Sequence, residues 1–145
     1  MFRLALAITL GVALGAGGVS LARHDEQGHG KVTKLSERDV IEKLDGKEAR
    51  VTTVEVAYGP GEAGEPHLHP GPIFGYVLEG EFELGLGDEP VRTLPAGETF
   101  YEPTGILHRV SRNPGTKGRT RVLAVILHPR DAKSIVLPAS TGPTE

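Results

Sequence analysis

Residues 73–87, IFGYVLEGEFELGLG, contain two short strand patterns that meet at a glycine. The first half is rich in aromatic and aliphatic residues, and the second half alternates apolar residues with polar or small ones, as strands that bury one face do. Similar runs recur from residue 47 to residue 137, separated by turn signals that contain Gly or Pro. About eight short strands without a helical crossover predict an all-β fold, a small antiparallel barrel of the jelly-roll type.

The composition is that of an ordinary soluble chain. The protein has 145 residues, of which 38% are hydrophobic and 24% are charged, and its formal net charge is −3. This length suits one domain with one core, and the absence of a basic surplus argues against nucleic-acid binding. Because the chain has no cysteine, disulfides and thiolate sites are excluded. Any metal ion must be bound by His, Asp or Glu.

The first 22 residues, MFRLALAITLGVALGAGGVSLA, are typical of a secretory signal peptide. One basic residue precedes an apolar run, and a small-x-small pattern ends at Ala22. The alternative is an uncleaved anchor, because the run from residue 4 to residue 22 is just long enough to span a bilayer. We expect an exported protein, periplasmic or secreted, without stable membrane contact once the signal is removed. No twin-arginine pair is present, which predicts export of the unfolded chain.

The rest of the chain divides into three parts. Residues 23–46 are predicted to form a polar linker followed by a short helix at 35–46, with Ser36 as its N-cap and Gly46 at its end. Residues 47–137 make up the predicted barrel. Residues 138–145 are predicted to be a disordered tail.

Three histidines are candidates for a metal site. His67 and His69 stand at i and i+2, so in an extended segment both side chains project from the same face. His108 begins a later strand, and strands distant in sequence face one another inside a small barrel. Three imidazoles suit a divalent transition metal and leave positions open for water or substrate. A His-x-His pair also occurs by chance on exposed loops, so spacing alone leaves both interpretations open.

These residues resemble two motifs of the cupin superfamily, a family of metal-binding jelly-roll barrels. The first motif is a glycine, five residues, His-x-His, three or four residues, a glutamate, six residues and a glycine; it is matched at Gly61, His67, His69 and Gly80. The second is a glycine, five residues, Pro-x-Gly, two residues, a histidine, three residues and an asparagine; it is matched at Gly97, Pro103, Gly105 and His108, while Asn113 falls one residue late. The resemblance implies a single-domain cupin that binds metal through its histidines.

The glutamate of the first motif is missing. The two spacings of the motif place Ile73 or Phe74 at its position, and neither side chain can bind a metal. Glu102 is a candidate substitute, because it lies two residues after Phe100 on one strand face that we expect to look into the barrel. Several interpretations remain open. Glu102 either binds the metal directly, pairs with Arg109 or Arg112 at the rim, or orients a histidine, or the site consists of three histidines and water only.

The sequence therefore favours a metal-binding cupin, with metal ligands His67, His69, His108 and Glu102. We expect a divalent metal as the cofactor, with Zn or Cu favoured and Ni, Fe or Mn as alternatives. The expected partner is a small-molecule ligand or substrate, and a homodimer is an open alternative. The function is either that of a metalloenzyme, such as an oxygenase, decarboxylase or isomerase, or that of a non-catalytic metal or small-molecule binding module. No catalytic residue is assigned.

Overall fold

The computed structural model describes residues 30–139, which form ten strands and no helix. In chain order the strands are β1 (Lys31–Leu44), β2 (Lys47–Tyr58), β3 (His67–Leu68), β4 (Ile73–Glu79), β5 (Glu81–Leu86), β6 (Arg92–Pro95), β7 (Thr99–Glu102), β8 (His108–Arg112), β9 (Thr120–Pro129) and β10 (Leu137–Pro138). The all-β prediction is confirmed. Each predicted run from residue 49 onward corresponds to one of these strands.

The strands form two antiparallel sheets of five strands each. Their orders are β1-β2-β9-β4-β7 and β10-β3-β8-β5-β6, called here the first and second sheets. The apolar core lies between the inner faces, where alternate residues of β9, such as Val122 and Ile126, are buried. This arrangement is the jelly-roll barrel expected from the sequence.

The helix predicted at 35–46 is wrong. This segment belongs to β1, which pairs antiparallel with β2 along its length. The turn between them is the two-residue loop Asp45-Gly46, in which both residues have positive φ, 50° and 77°. Such a loop matches the twist of a β-hairpin. Gly46 was interpreted as a helix end, but it is the second central residue of this hairpin, and cross-strand pairing overrides the weak helical spacing.

At both ends of the described chain, the strands extend into segments that were predicted to be a linker or a tail. Strand β1 begins at Lys31, so part of the predicted linker is strand, and β10 includes the first residue of the predicted tail. The predicted signal peptide at 1–22 and residues 140–145 lie outside the described residues. Within residues 30–139 there is no helix that could cross a membrane.

Candidate metal centre

The His-x-His segment lies at one end of the barrel, in and just after the short strand β3. His67 pairs with Pro138 of β10 on one side and with His108 of β8 on the other. His69 is buried, and its carbonyl accepts a hydrogen bond of 3.0 Å from the Gly105 amide. The two side chains project together, as the i, i+2 spacing predicts. Their Nε2 atoms are 3.0 Å apart.

Backbone carbonyls determine which nitrogen of each ring carries the proton. His67 Nδ1 lies 2.7 Å from the Glu65 carbonyl oxygen, and His69 Nδ1 lies 2.6 Å from that of Ile135. A carbonyl only accepts hydrogen bonds, so we assign the proton to Nδ1 in both rings. In the neutral rings both Nε2 atoms then present lone pairs to each other at 3.0 Å. Two facing lone pairs repel, and a cation held by both removes that repulsion.

A proton is a poor candidate for this cation. Burial lowers the pKa of His67 and of His69 from the ordinary value of 6.5, because desolvation disfavours the charged imidazolium. Both rings are therefore neutral at pH 7 and can donate their Nε2 lone pairs. Neutral imidazole is the form that binds metal ions.

His108 completes a group of three histidines. It is buried at the start of β8, and its ring centroid lies 4.9 Å from that of His67. One nitrogen from each ring lies within 4.8 Å of the others, which is compact enough to hold a metal ion. Both His108 nitrogens are buried and lack a hydrogen-bond partner among the described residues. Since unpartnered buried polar atoms are rare, the three residues fit a metal ion.

Glu102 lies beside these histidines as the last residue of β7. Its side chain is buried, with Oε2 at 3.3 Å from His108 Nδ1 and 3.8 Å from His69 Nε2. Oε2 has no hydrogen-bond partner among residues 30–139. The register partner of Glu102 on β4 is Ile73, one of the two residues at which the spacing of the first motif places its glutamate. The Glu102 carboxylate thus lies on the strand next to that of Ile73.

The alternative pairing of Glu102 with an arginine is wrong. Arg109 donates to the carbonyls of Gly87 and Glu89, and Arg112 donates to the Glu83 carboxylate. Both arginines are engaged away from the histidine group. Glu102 is therefore available to a cation or to His108.

A cavity of ≈ 610 Å³ adjoins the histidine group. Its inner wall consists of apolar side chains from both sheets, among them Val54, Phe82, Phe100 and Ile126. Near the C-terminal end of the described chain, it is bordered by Ile135, Val136, Pro138 and Ala139. Cavities of this size hold small organic ligands in other proteins.

Sequence reasoning missed the group that orients His69. The Ile135 carbonyl, which orients His69, is a backbone group and leaves no signal in the residue type. His128 is buried on β9, where its Nε2 lies 2.9 Å from Thr52 Oγ1 and its Nδ1 lies 2.8 Å from the Pro129 carbonyl. It is a packing histidine with both ring nitrogens engaged. His24 and His29 lie outside the described residues.

Comparison with known proteins supports the fold. The cupin domain model matches residues 54–126. None of the curated proteins searched matches the chain. A conserved protein with a double-stranded β-helix domain from Klebsiella pneumoniae has a TM-score of 0.58 and 20% identity, with 80% of this chain and 90% of that chain covered. An RmlC-like cupin from Methanocaldococcus jannaschii has a TM-score of 0.55 and 16% identity, with 71% and 84% covered.

A solved oxalate oxidase in complex with the substrate analogue glycolate is also similar. Its TM-score is 0.52 and its identity 29%, with 70% of this chain covered. This chain spans about half of that oxidase, since the match covers 52% of its length. The family model covers half of the present sequence, and the matched range includes His67, His69 and His108. The chain therefore belongs to the cupin family.

Proposed function

We propose that this protein binds a divalent transition-metal ion through His67, His69 and His108, with Glu102 as a fourth ligand, and holds a small-molecule ligand or substrate in the adjoining cavity. The observation that carries the proposal is the convergence of two Nε2 lone pairs at 3.0 Å. A metal ion satisfies these lone pairs together with one of the two unpartnered nitrogens of His108. When bound, such an ion would act as a Lewis acid toward an oxygen atom of the ligand.

The donor set bears on the identity of the metal. Three imidazoles favour Zn or Cu, with Ni as a further candidate, because nitrogen ligands suit the later members of the divalent series. A carboxylate from Glu102 makes the site more suitable for Fe or Mn, which accept oxygen ligands readily. We therefore propose that Glu102 tunes metal choice.

Two candidate functions are compatible with this site, an enzyme and a non-catalytic binding module. Oxalate oxidase shares 29% of its aligned residues with this chain, which favours an enzyme, and an oxidase in particular. A specific observation favours a non-catalytic binding module instead: Glu102 is the only fully buried carboxylate among residues 30–139, and it lies 3.3 Å from His108, where we propose that it binds the metal. As a ligand it is less free to act as a general acid or base. Oxygen uptake by metal-loaded protein in the presence of oxalate or glycolate distinguishes the two candidates.

Single replacement of each histidine tests the metal centre. We expect His67→Ala, His69→Ala and His108→Ala each to reduce metal content sharply, because each removes one of three nitrogen ligands. Metal content is measured by plasma mass spectrometry on protein purified without a histidine tag. His128→Ala is the matched control, since His128 is also buried but bonds Thr52 and a backbone carbonyl. A variant of the three that keeps full metal content removes its residue from the site.

We also propose that residues 1–22 act as an export signal and that the mature protein works outside the cytoplasm. The apolar run and the small-x-small pattern ending at Ala22 support this proposal. Intact-mass measurement of the exported protein should show a chain that starts at or near Arg23. A mass that includes residues 1–22 would support a membrane anchor instead.

A further inference from the structure

The walls of the cavity beside the histidine group are mainly apolar. Both sheets contribute aliphatic and aromatic side chains to them, namely Val54, Ile73, Phe82, Phe100, Val122 and Ile126. All six are buried in the core of the protein. The space they enclose would gain stability from an apolar occupant, since an apolar cavity holds water poorly.

Few charged or polar side chains line this cavity, and most of them belong to the histidine group and Glu102 beside it. Of the described lining residues, none is Lys or Arg. The polar lining side chains are Tyr58, Glu65, Glu102 and the three histidines, and Glu65 is exposed. A ligand charge away from the histidine group would therefore meet no cation, and burying an unpaired charge is costly.

Size gives a second, independent constraint. The cavity volume of ≈ 610 Å³ lies within the range of about 300–1,000 Å³ that is typical of sites for drug-sized ligands. A two-carbon acid such as the glycolate held by oxalate oxidase would leave most of the apolar wall uncovered. The cavity is suited to a larger occupant.

We infer, building on the proposed metal centre, that the ligand is a monoanion whose single oxygen head group binds at the metal and whose aliphatic or aromatic body fills the cavity. A divalent ion bound by the Glu102 carboxylate leaves one positive charge, which one anionic head group neutralises. The inner wall then contacts only carbon. A second anionic group on the body of the ligand has no partner there.

A series of fatty acids tests this inference directly. The probes are acetate, butyrate, hexanoate and octanoate, titrated by calorimetry into Zn-loaded protein. We expect affinity to rise about fourfold for each added methylene until the chain fills the cavity. Octanedioate, which adds a second carboxylate at the far end, should bind at least tenfold more weakly than octanoate. Equal affinity for acetate and octanoate, or tighter binding of octanedioate, would overturn the inference.

Two variants on β9 test whether the hydrocarbon chain of the fatty acid binds in the cavity. Ala124 faces the cavity from β9, and its neighbour Val125 lies on the outer face of the same strand. Ala124→Leu should shorten the preferred fatty acid and weaken octanoate binding, whereas Val125→Leu should bind the series as the natural protein does. Weakening by Val125→Leu alone would overturn the inference. If Ala124→Leu does not fold, the fatty-acid titrations of the natural protein alone test the inference.

Metal content is measured on the same samples. Failure to hold metal counts against the proposed function, whereas full metal content with a flat chain-length series counts against this inference only.

Discussion

Two pairs of facing residues border the candidate metal centre, one from each sheet, and they differ in composition. In the second sheet His67 of β3 faces His108 of β8, and both members carry an imidazole. In the first sheet Ile73 of β4 faces Glu102 of β7, and only the latter carries a ligand group. Facing residues in an antiparallel pair have neighbouring side chains on the same side of the sheet. Either of the two facing positions can therefore carry the carboxylate, with the same backbone, and present it to the same region.

Removing the carboxylate from the first-sheet pair should have the largest effect on metal binding. We expect Glu102→Gln to weaken Mn and Fe binding by roughly tenfold to a hundredfold and Zn binding less, because three imidazoles suffice for Zn. The double variant Ile73→Glu with Glu102→Ile returns the carboxylate to the motif position and should recover Mn and Fe binding. Dissociation constants are measured by competition with a fluorescent chelator.

The double variant also provides the control for packing, because it keeps one carboxylate and one isoleucine at the two facing positions. Undiminished Mn and Fe binding by Glu102→Gln would show that Glu102 is neither a ligand nor an orienting group. The metal centre would then consist of the histidines alone.

Removing the segment after Ala132 should have the next largest effect. Deletion of residues 133–145 takes away the carbonyl that accepts from His69 Nδ1, as well as β10, which pairs with β3. Loss of such an orienting group typically weakens metal affinity about tenfold or more. A chain that ends at Ala139 retains both contacts and is the matched control. Nitrogen NMR of the imidazoles should show that His69 loses its fixed tautomer in the shorter chain only, and equal tautomer signals in both chains would contradict this role.

We expect a smaller effect of pH on the free energy of unfolding of the metal-free protein. The pKa of His67 and of His69 lies below 6.5 in the folded state because burial disfavours the charged ring. As pH falls below 6.5, the unfolded chain therefore binds protons first, and the free energy of unfolding should decrease until the folded pKa is reached. Above pH 6.5 these two residues should contribute no pH dependence.

Urea unfolding at several pH values between 5 and 8 measures this effect. The double variant His67→Gln with His69→Gln should have a flatter profile between pH 5 and 6.5. The same slope in both proteins would assign the pH dependence to other groups.

Much of this architecture could be predicted from local sequence. Alternating runs and Gly or Pro turns are local signals, and they predicted the strands from residue 49 onward. The spacing of His67 and His69 predicted their common direction, and the position of Glu102 two residues after Phe100 predicted its inward orientation. All of these follow from the two-residue period of a strand.

The rest depends on contacts that are distant in sequence. The facing of Ile73 with Glu102 is set by the register of β4 with β7, and no local pattern specifies that register. The segment at 35–46 resembles a helix when considered alone, yet its pairing with β2 makes it a strand. The carbonyl of Ile135 reaches His69 only because the chain returns past the barrel after β9.

The facing of His67 with His108 also concerns the unfolded chain. An ion held by both imidazoles closes a loop of roughly 40 residues, and by the chain-entropy reasoning used for disulfides such a closure is worth about 4 kcal/mol. The chain contains no cysteine, so no disulfide can provide a comparable cross-link. The bound ion would therefore be a cross-link that takes the place of a disulfide. Its stabilising effect would depend on metal supply and pH, whereas that of a disulfide depends on the redox state of the surroundings.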